Sequence, residues 1–235
     1  MTLKTCKSIL LILFFFAGTW AMAQNDPMDD CAAFRLQLVQ RFMKGKSADS
    51  IVLASTTNEK YLKFYKELEG ESKLFSDFNT LMGIDSLRVA YKNLMRDEYL
   101  GKPFVEIKAK NLNGEKILAP QAGTITVLNT WFTRCKPCLE EMPALNELLG
   151  RYEKDPNVKF ISIARSSKED VALLLNKHKF AYEIIADEKW KILSELCLRD
   201  YPANIIVDSA GIIRYFHLGI ADINEMEGVI NQLKQ

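Results

Sequence analysis

Two cysteines lie three positions apart in the segment Cys135-Lys136-Pro137-Cys138, and their spacing is suited to redox chemistry. The apolar residues 125–130 before the pair predict a buried strand, and the pattern after it predicts a helix to about Tyr152. Cysteines placed in this way at a helix start can bring their sulfurs within bonding distance. The pair is therefore a candidate for thiol–disulfide exchange.

The surroundings of Cys135 favour its reactive thiolate form. The free N–H groups of a helix start stabilise a negative charge, and the cations Arg134 and Lys136 are expected to act in the same direction. Pro137 fits the first helical turn, where its missing N–H costs nothing. The expected mechanism is attack by Cys135 on a disulfide, followed by release of the partner through attack by Cys138.

Two other interpretations of the cysteine pair are less favoured. A structural zinc site needs four ligands, and the remaining candidates show no second paired spacing: Cys31, Cys197, His178 and His217. A purely structural disulfide would close so short a loop that it would stabilise the fold little. The sequence predicts neither a metal nor a cofactor.

The N-terminal residues predict export. Lys4 and Lys7 precede a continuous apolar run over residues 9–17, and Ala21-Met22-Ala23 has the small-x-small form of a cleavage site. We predict a signal peptide over residues 1–23 and a periplasmic location, with an uncleaved membrane anchor as the alternative. The formal net charge of +1 argues against a nucleic-acid partner.

The rest of the chain divides into two regions. Hydrophobic residues make up 48% of the chain, enough for a packed core. Residues 24–100 show helical periodicity, with no motif that carries chemistry, and predict a helical N-terminal region of unknown role. Residues 101–235 alternate between strand and helix patterns and end in a hairpin and a helix, which predicts an α/β mixed sheet flanked by helices.

Several segments of residues 101–235 resemble the TlpA/ResA-like branch of the thioredoxin superfamily. The stretch 127–138, Val-Leu-Asn-Thr-Trp-Phe-Thr-Arg-Cys-Lys-Pro-Cys, is similar to the strand and active-site loop of that family, and Pro143 matches its helix-kinking proline. Tyr201-Pro202 resembles the cis-proline loop that faces the cysteines. The resemblance implies a thioredoxin-like fold, a cis bond at Pro202, and substrate contacts from Tyr201, Pro202 and Trp131, although Trp131 can also be a packed aromatic.

The sequence departs from this branch of the family at Arg134 and, in common with the branch, from ordinary thioredoxins at Asn129. Arg134 stands where the family usually has tryptophan, which gives the site a more polar rim. Asn129 stands where ordinary thioredoxins carry a buried aspartate, and asparagine cannot accept a proton. The general base for Cys138 must then be water or a nearby carboxylate, for which Glu141 is a weak candidate. The expected ordinary role of Glu141 is a solvated or capping carboxylate on the first helix.

The leading functional hypothesis is a reductase of disulfides in exported proteins, supplied with electrons by a membrane-bound thiol donor. The alternatives are a disulfide oxidant, or a thioredoxin-like binding module whose helical region recruits a partner. A peroxidase is disfavoured, because the residues before Cys135 lack the threonine and proline arrangement of peroxiredoxins.

Overall fold

The computed structural model describes residues 85–235. The predicted signal peptide and most of the predicted helical region lie outside the described residues. Five helices occur in the described part: α1 (Asp85–Tyr99), α2 (Lys136–Tyr152), α3 (Lys168–Leu175), α4 (Lys191–Glu195) and α5 (Ile223–Leu233). Its strands are β1 (Ile107–Lys110), β2 (Lys116–Ala119), β3 (Ile125–Trp131), β4 (Val158–Ala164), β5 (Glu183–Ala186), β6 (Ala203–Val207) and β7 (Ile213–Leu218).

The strands form a two-stranded hairpin and one five-stranded mixed sheet. β1 pairs with β2, whereas the larger sheet has the order β5-β4-β3-β6-β7. β3, β4 and β5 run parallel, and β6 and β7 are antiparallel to their neighbours. Helices lie on both faces, so the predicted thioredoxin-like α/β fold is confirmed.

Alternation along β3 separates the core into two layers. Val127 and Trp131 face α2, α3 and α5, whereas Leu128 faces the side covered by α1, α4 and the hairpin. Every residue of β3 is buried, as expected for a strand with a helical layer on each face.

Helix α1 is part of this core, although the sequence pattern changes only after it, at Gly101. Tyr91 and Met95 are 3% and 1% exposed in the layer that α1 shares with β7. Tyr99 stacks on Phe216 with ring centroids 4.3 Å apart, and its hydroxyl donates to the Leu196 carbonyl at 2.6 Å. These contacts hold α1 against the sheet.

The sequence patterns located most elements but missed some local detail. Strand β5 was not predicted as a separate element. Ser167 is the N-cap of α3 and accepts from the Asp170 N–H. Cys197 follows α4 in a left-handed conformation with φ of 50°. Within residues 85–235 no helix combines the length and apolar character of a membrane span.

Candidate active site

Cys135 and Cys138 form a disulfide at the start of α2. Cys135 is the N-cap residue, and its sulfur accepts a hydrogen bond from the Cys138 N–H at 3.3 Å. The two residues are 4% and 1% exposed, so the pair lies just beneath the surface. Residues 136–139 contain no acidic side chain, and the positive end of the helix dipole therefore acts on Cys135 without a nearby counter-charge in the first turn.

Backbone hydrogen bonds fix the loop that carries Cys135. Its N–H donates to the Phe132 carbonyl at 3.0 Å, and the Thr133 N–H donates to Ser166 Oγ at 3.1 Å. The Arg165 N–H binds the Trp131 carbonyl at 2.8 Å, which ties the end of β3 to the segment after β4. The first cysteine is thus held by the carboxyl ends of two parallel strands, where α/β sheets commonly place their sites.

Two of the three exposed residues in the disulfide loop are charged. Arg134, Lys136 and Pro137 are all exposed, and Lys136 lies 3.7 Å from the Glu140 carboxylate. The side chain of Lys136 is 87% exposed, so this ion pair contributes little to stability. Arg134 gives the site the polar rim that the sequence predicts.

The peptide bond between Tyr201 and Pro202 is cis, as the resemblance implies. Tyr201 packs edge-on against Phe132 with ring centroids 5.4 Å apart, and Tyr201 and Pro202 line one groove together with Pro137. The Tyr201 hydroxyl accepts from Trp190 Nε1 at 3.0 Å. These contacts place the cis-proline loop beside the disulfide.

Trp131 is a core residue. Its side chain has no exposed surface, its Nε1 donates to Ser162 Oγ at 3.2 Å, and its ring lies edge-on to Phe180. A side chain in this position cannot touch a substrate. Trp131 is therefore the packed aromatic of the alternative interpretation. The substrate contact that the family resemblance implied for Trp131 is wrong.

Glu141 lies in a buried network of amides. Asn129 Nδ2 donates to Glu141 Oε1 at 2.7 Å, while Asn204 Nδ2 and the Ala221 N–H donate to Oε2 at 3.1 and 3.2 Å. Asn129 and Asn204 are opposite each other in the β3–β6 register and are themselves joined by a 3.0 Å hydrogen bond. The network connects β3, β6, α2 and the loop before α5.

The expected solvated or capping role of Glu141 is therefore wrong. The residue is 3% exposed, and burial raises its pKa to about 7 despite the opposing hydrogen bonds from Ala221, Asn204 and Asn129. Glu141 follows Cys138 by three positions in α2, so the two side chains share one helix face. The structure thus places a carboxyl group that titrates near neutral pH on the inner side of the disulfide.

Sequence reasoning missed Asn204 altogether. The available signals were a polar residue in the otherwise apolar strand 203–207, two positions after the cis-proline, and the three-residue spacing between Cys138 and Glu141. Of the other candidates, His178 is exposed after α3, and His217 is a half-buried residue of β7. Cys197 is partly exposed, and Cys31 lies outside the described residues.

The disulfide lies at the N-terminus of α2, beside a cis-proline and at the end of a parallel strand pair. This arrangement defines a thioredoxin-like thiol–disulfide site. Residues 100–216 match the family model described as the AhpC/TSA family. The thioredoxin-like protein YneN of Bacillus subtilis is 32% identical over 130 residues, which span 54% of this chain and 76% of that protein. The thiol-disulfide oxidoreductase ResA of Halalkalibacterium halodurans is 29% identical over 134 residues, 55% of this chain and 76% of ResA.

The solved structures agree at the level of the fold. A candidate thiol:disulfide interchange protein DsbE from Chlorobium tepidum superposes with a TM-score of 0.53 at 16% identity, covering 58% of this chain and 98% of that one. The chain belongs to the thioredoxin-like AhpC/TSA family, and its similarity to ResA-like proteins confirms the branch indicated by the sequence motifs.

Proposed function

We propose that this thiol–disulfide oxidoreductase acts in the cell envelope as a reductase of disulfides in exported proteins. The observation that carries the proposal is the Cys135–Cys138 disulfide at a helix N-terminus, with the buried Glu141 carboxyl on the same helix. Relatives named thiol-disulfide oxidoreductase ResA support the same chemistry. The predicted signal peptide over residues 1–23 supports the location.

The proposed cycle transfers two electrons from the protein to the substrate. The Cys135 thiolate attacks one sulfur of a substrate disulfide, which forms a mixed disulfide and releases the other substrate sulfur as a thiolate. Cys138 then loses its proton and attacks Cys135 Sγ, which forms the Cys135–Cys138 disulfide and releases the second substrate thiolate. Two protons complete the substrate thiols. A membrane-bound dithiol donor would return the protein to its reduced form.

Glu141 is proposed to accept the Cys138 proton. A general base works best when its pKa is near the operating pH, and burial brings the pKa of this carboxyl to about 7. Asn129 cannot serve as the base, but its amide and that of Asn204 orient the Glu141 carboxylate. The backbone beside Pro202 is proposed to pair with an extended substrate segment.

The first test is the reduction potential of the full chain, equilibrated against glutathione and dithiothreitol buffers. A potential near that of thioredoxin, about −270 mV, supports a reductase, whereas one near −120 mV indicates an oxidant. Absence of a reversible two-electron couple would leave the alternative of a binding module whose N-terminal region recruits a partner.

The second test separates the roles of the two cysteines. Reduced Cys138→Ser is expected to accumulate a mixed disulfide between Cys135 and a disulfide-bonded peptide, because the Cys138 thiol that would release it is missing. Mass spectrometry of the active-site fragment measures the adduct. Cys135→Ser is the matched control and is expected to form far less adduct on this fragment, since Cys138 is 1% exposed. Equal adduct formation by the two variants would contradict the assignment of Cys135 as the attacking residue.

A further inference from the structure

A groove of about 620 Å³ connects the disulfide loop with helix α1. Pro137 lines it from the disulfide loop, Tyr201 and Pro202 from the cis-proline loop, and Arg88 and Lys92 from α1. Its volume lies in the range of about 300–1,000 Å³ that is typical of ligand sites. The wall formed by α1 lies outside residues 100–216, which match the family model.

Two cations of α1 face this groove from a fixed helix. Arg88 and Lys92 are one turn apart and therefore share a face. Tyr91, between them, is 3% exposed, and its hydroxyl donates to Asp200 Oδ2 at 3.0 Å, which connects α1 to the residue before Tyr201. The two cations are consequently held in place relative to the cis-proline loop.

Lys92 lies next to the cis-proline itself. A Cβ atom built on Gly219 would be 2.7 Å from Lys92 Nζ, so the ammonium group packs directly on this glycine. The Gly219 N–H donates to the Pro202 carbonyl at 2.7 Å. Burial and the neighbouring Arg88 lower the pKa of Lys92, and Asp200 opposes them. No ion pair with Lys92 occurs among residues 88–235 whose side chains are described, so an incoming anion can supply one.

Other cations surround the same site. Trp190, which donates to the Tyr201 hydroxyl, has the guanidinium of Arg165 at 4.0 Å and that of Arg199 at 4.8 Å from its ring centre. Arg134 and Lys136 flank the disulfide and are exposed. The formal net charge of the chain is only +1, so this concentration of cations is local. Among the described residues that line the groove, the charged ones are the acid Asp200 and the cations Arg88 and Lys92.

We infer that α1 is a substrate-selecting wall, and that Lys92 with Arg88 binds an acidic side chain next to the disulfide of an extended substrate polypeptide. The inference rests on the proposed function and specifies its substrate class. A positive groove beside the reacting sulfurs favours approach of an acidic segment and disfavours a basic one.

The test compares three disulfide probes with the reduced full chain. One is a synthetic peptide dimer joined through cysteines flanked by aspartates, the second has asparagines in place of the aspartates, and the third is the small neutral 2-hydroxyethyl disulfide. The wild-type chain is expected to reduce the aspartate peptide about fivefold faster than the asparagine peptide, the effect of an ion pair of about 1 kcal/mol. The preference should shrink at high salt.

Lys92→Glu and the milder Lys92→Gln are expected to lose this preference, measured for each variant as the ratio of its rates with the two peptides. The rate with the small disulfide is the reference for the redox activity of each variant. Lys177→Glu makes the same change of net charge on an exposed residue after α3 and is expected to keep the preference. Circular dichroism establishes whether each variant is folded. If Lys92→Glu does not fold, Lys92→Gln provides the test.

The outcomes are distinguishable. Reduction of both peptides by the wild-type chain at one rate would overturn the inference while leaving the reductase intact. An equal loss of preference in the Lys92 variants and in Lys177→Glu would assign the preference to net charge. That result would also overturn the inference. If none of the three probes is reduced, the proposed function itself fails.

Discussion

Replacing Glu141 with glutamine is expected to remove a pH dependence of stability that this buried carboxyl group imposes. Burial raises the pKa of Glu141 from 4.5 to about 7. Between these values the unfolded chain releases a proton that the folded protein retains, so the free energy of unfolding falls as pH rises. Below about pH 4.5 the group is protonated in both states, and well above pH 7 it is ionised in both.

The size of the effect follows from the two pKa values. A shift of one unit corresponds to about 1.4 kcal/mol, so the whole shift is worth about 3 kcal/mol. Between pH 5 and pH 8 about 2.5 kcal/mol of this is lost, because part of the proton release in the unfolded state is already complete at pH 5.

Urea unfolding at pH 5 and pH 8, with the disulfide oxidised so that neither cysteine titrates, measures the difference. The wild-type chain is expected to lose about 2.5 kcal/mol more than Glu141→Gln on going from pH 5 to pH 8. Glu147→Gln, an exposed glutamate of the same helix, is the control and should follow the wild type. Equal losses in the wild type and in Glu141→Gln would refute the raised pKa and, with it, the case for Glu141 as a base.

Two further substitutions test how the site is supported. Met95→Ala is expected to lower the free energy of unfolding by about 2–5 kcal/mol in urea titrations, because Met95 is 1% exposed where α1 packs on the sheet. A change below about 1 kcal/mol would mean that α1 is not part of the core. Asp187→Ala is expected to cost about 1–3 kcal/mol, since the buried Asp187 carboxylate accepts from the N–H groups of Lys191 and Leu193 at 2.9 and 2.8 Å. Thermal unfolding measures the Asp187 variant, and an unchanged melting temperature would contradict the role of Asp187 in holding α4 behind Tyr201.

The sequence alone determined the cysteine pair and the elements around it. The local spacing of Cys135 and Cys138 at a helix start, the apolar run before them and the strand–helix alternation after them are short-range patterns, and such patterns report secondary structure directly. Tyr201-Pro202 was recognised through its resemblance to the cis-proline loop, and its cis bond lies where that resemblance placed it.

The surroundings of the pair were decided only by tertiary structure. Glu141 has the sequence context of a surface carboxylate, and its burial depends on β6 and the start of α5 contributing Asn204 and the Ala221 N–H from more than 60 residues away. Trp131 became a core residue because α2 and α3 cover its face of the sheet.

Helix α1 shows the same division between what the sequence predicts and what the tertiary structure decides. Its periodicity predicted a helix, but the packing of Tyr91 and Met95 on β7 decided which face would be free to line the groove beside Pro202. Local propensity specifies that a helix forms, whereas the orientation of its cations toward the disulfide depends on contacts distant in the sequence. The redox chemistry of the cysteine pair could thus be predicted from the sequence. The proposed proton acceptor Glu141 and the cationic face of α1 could be identified only from the tertiary structure.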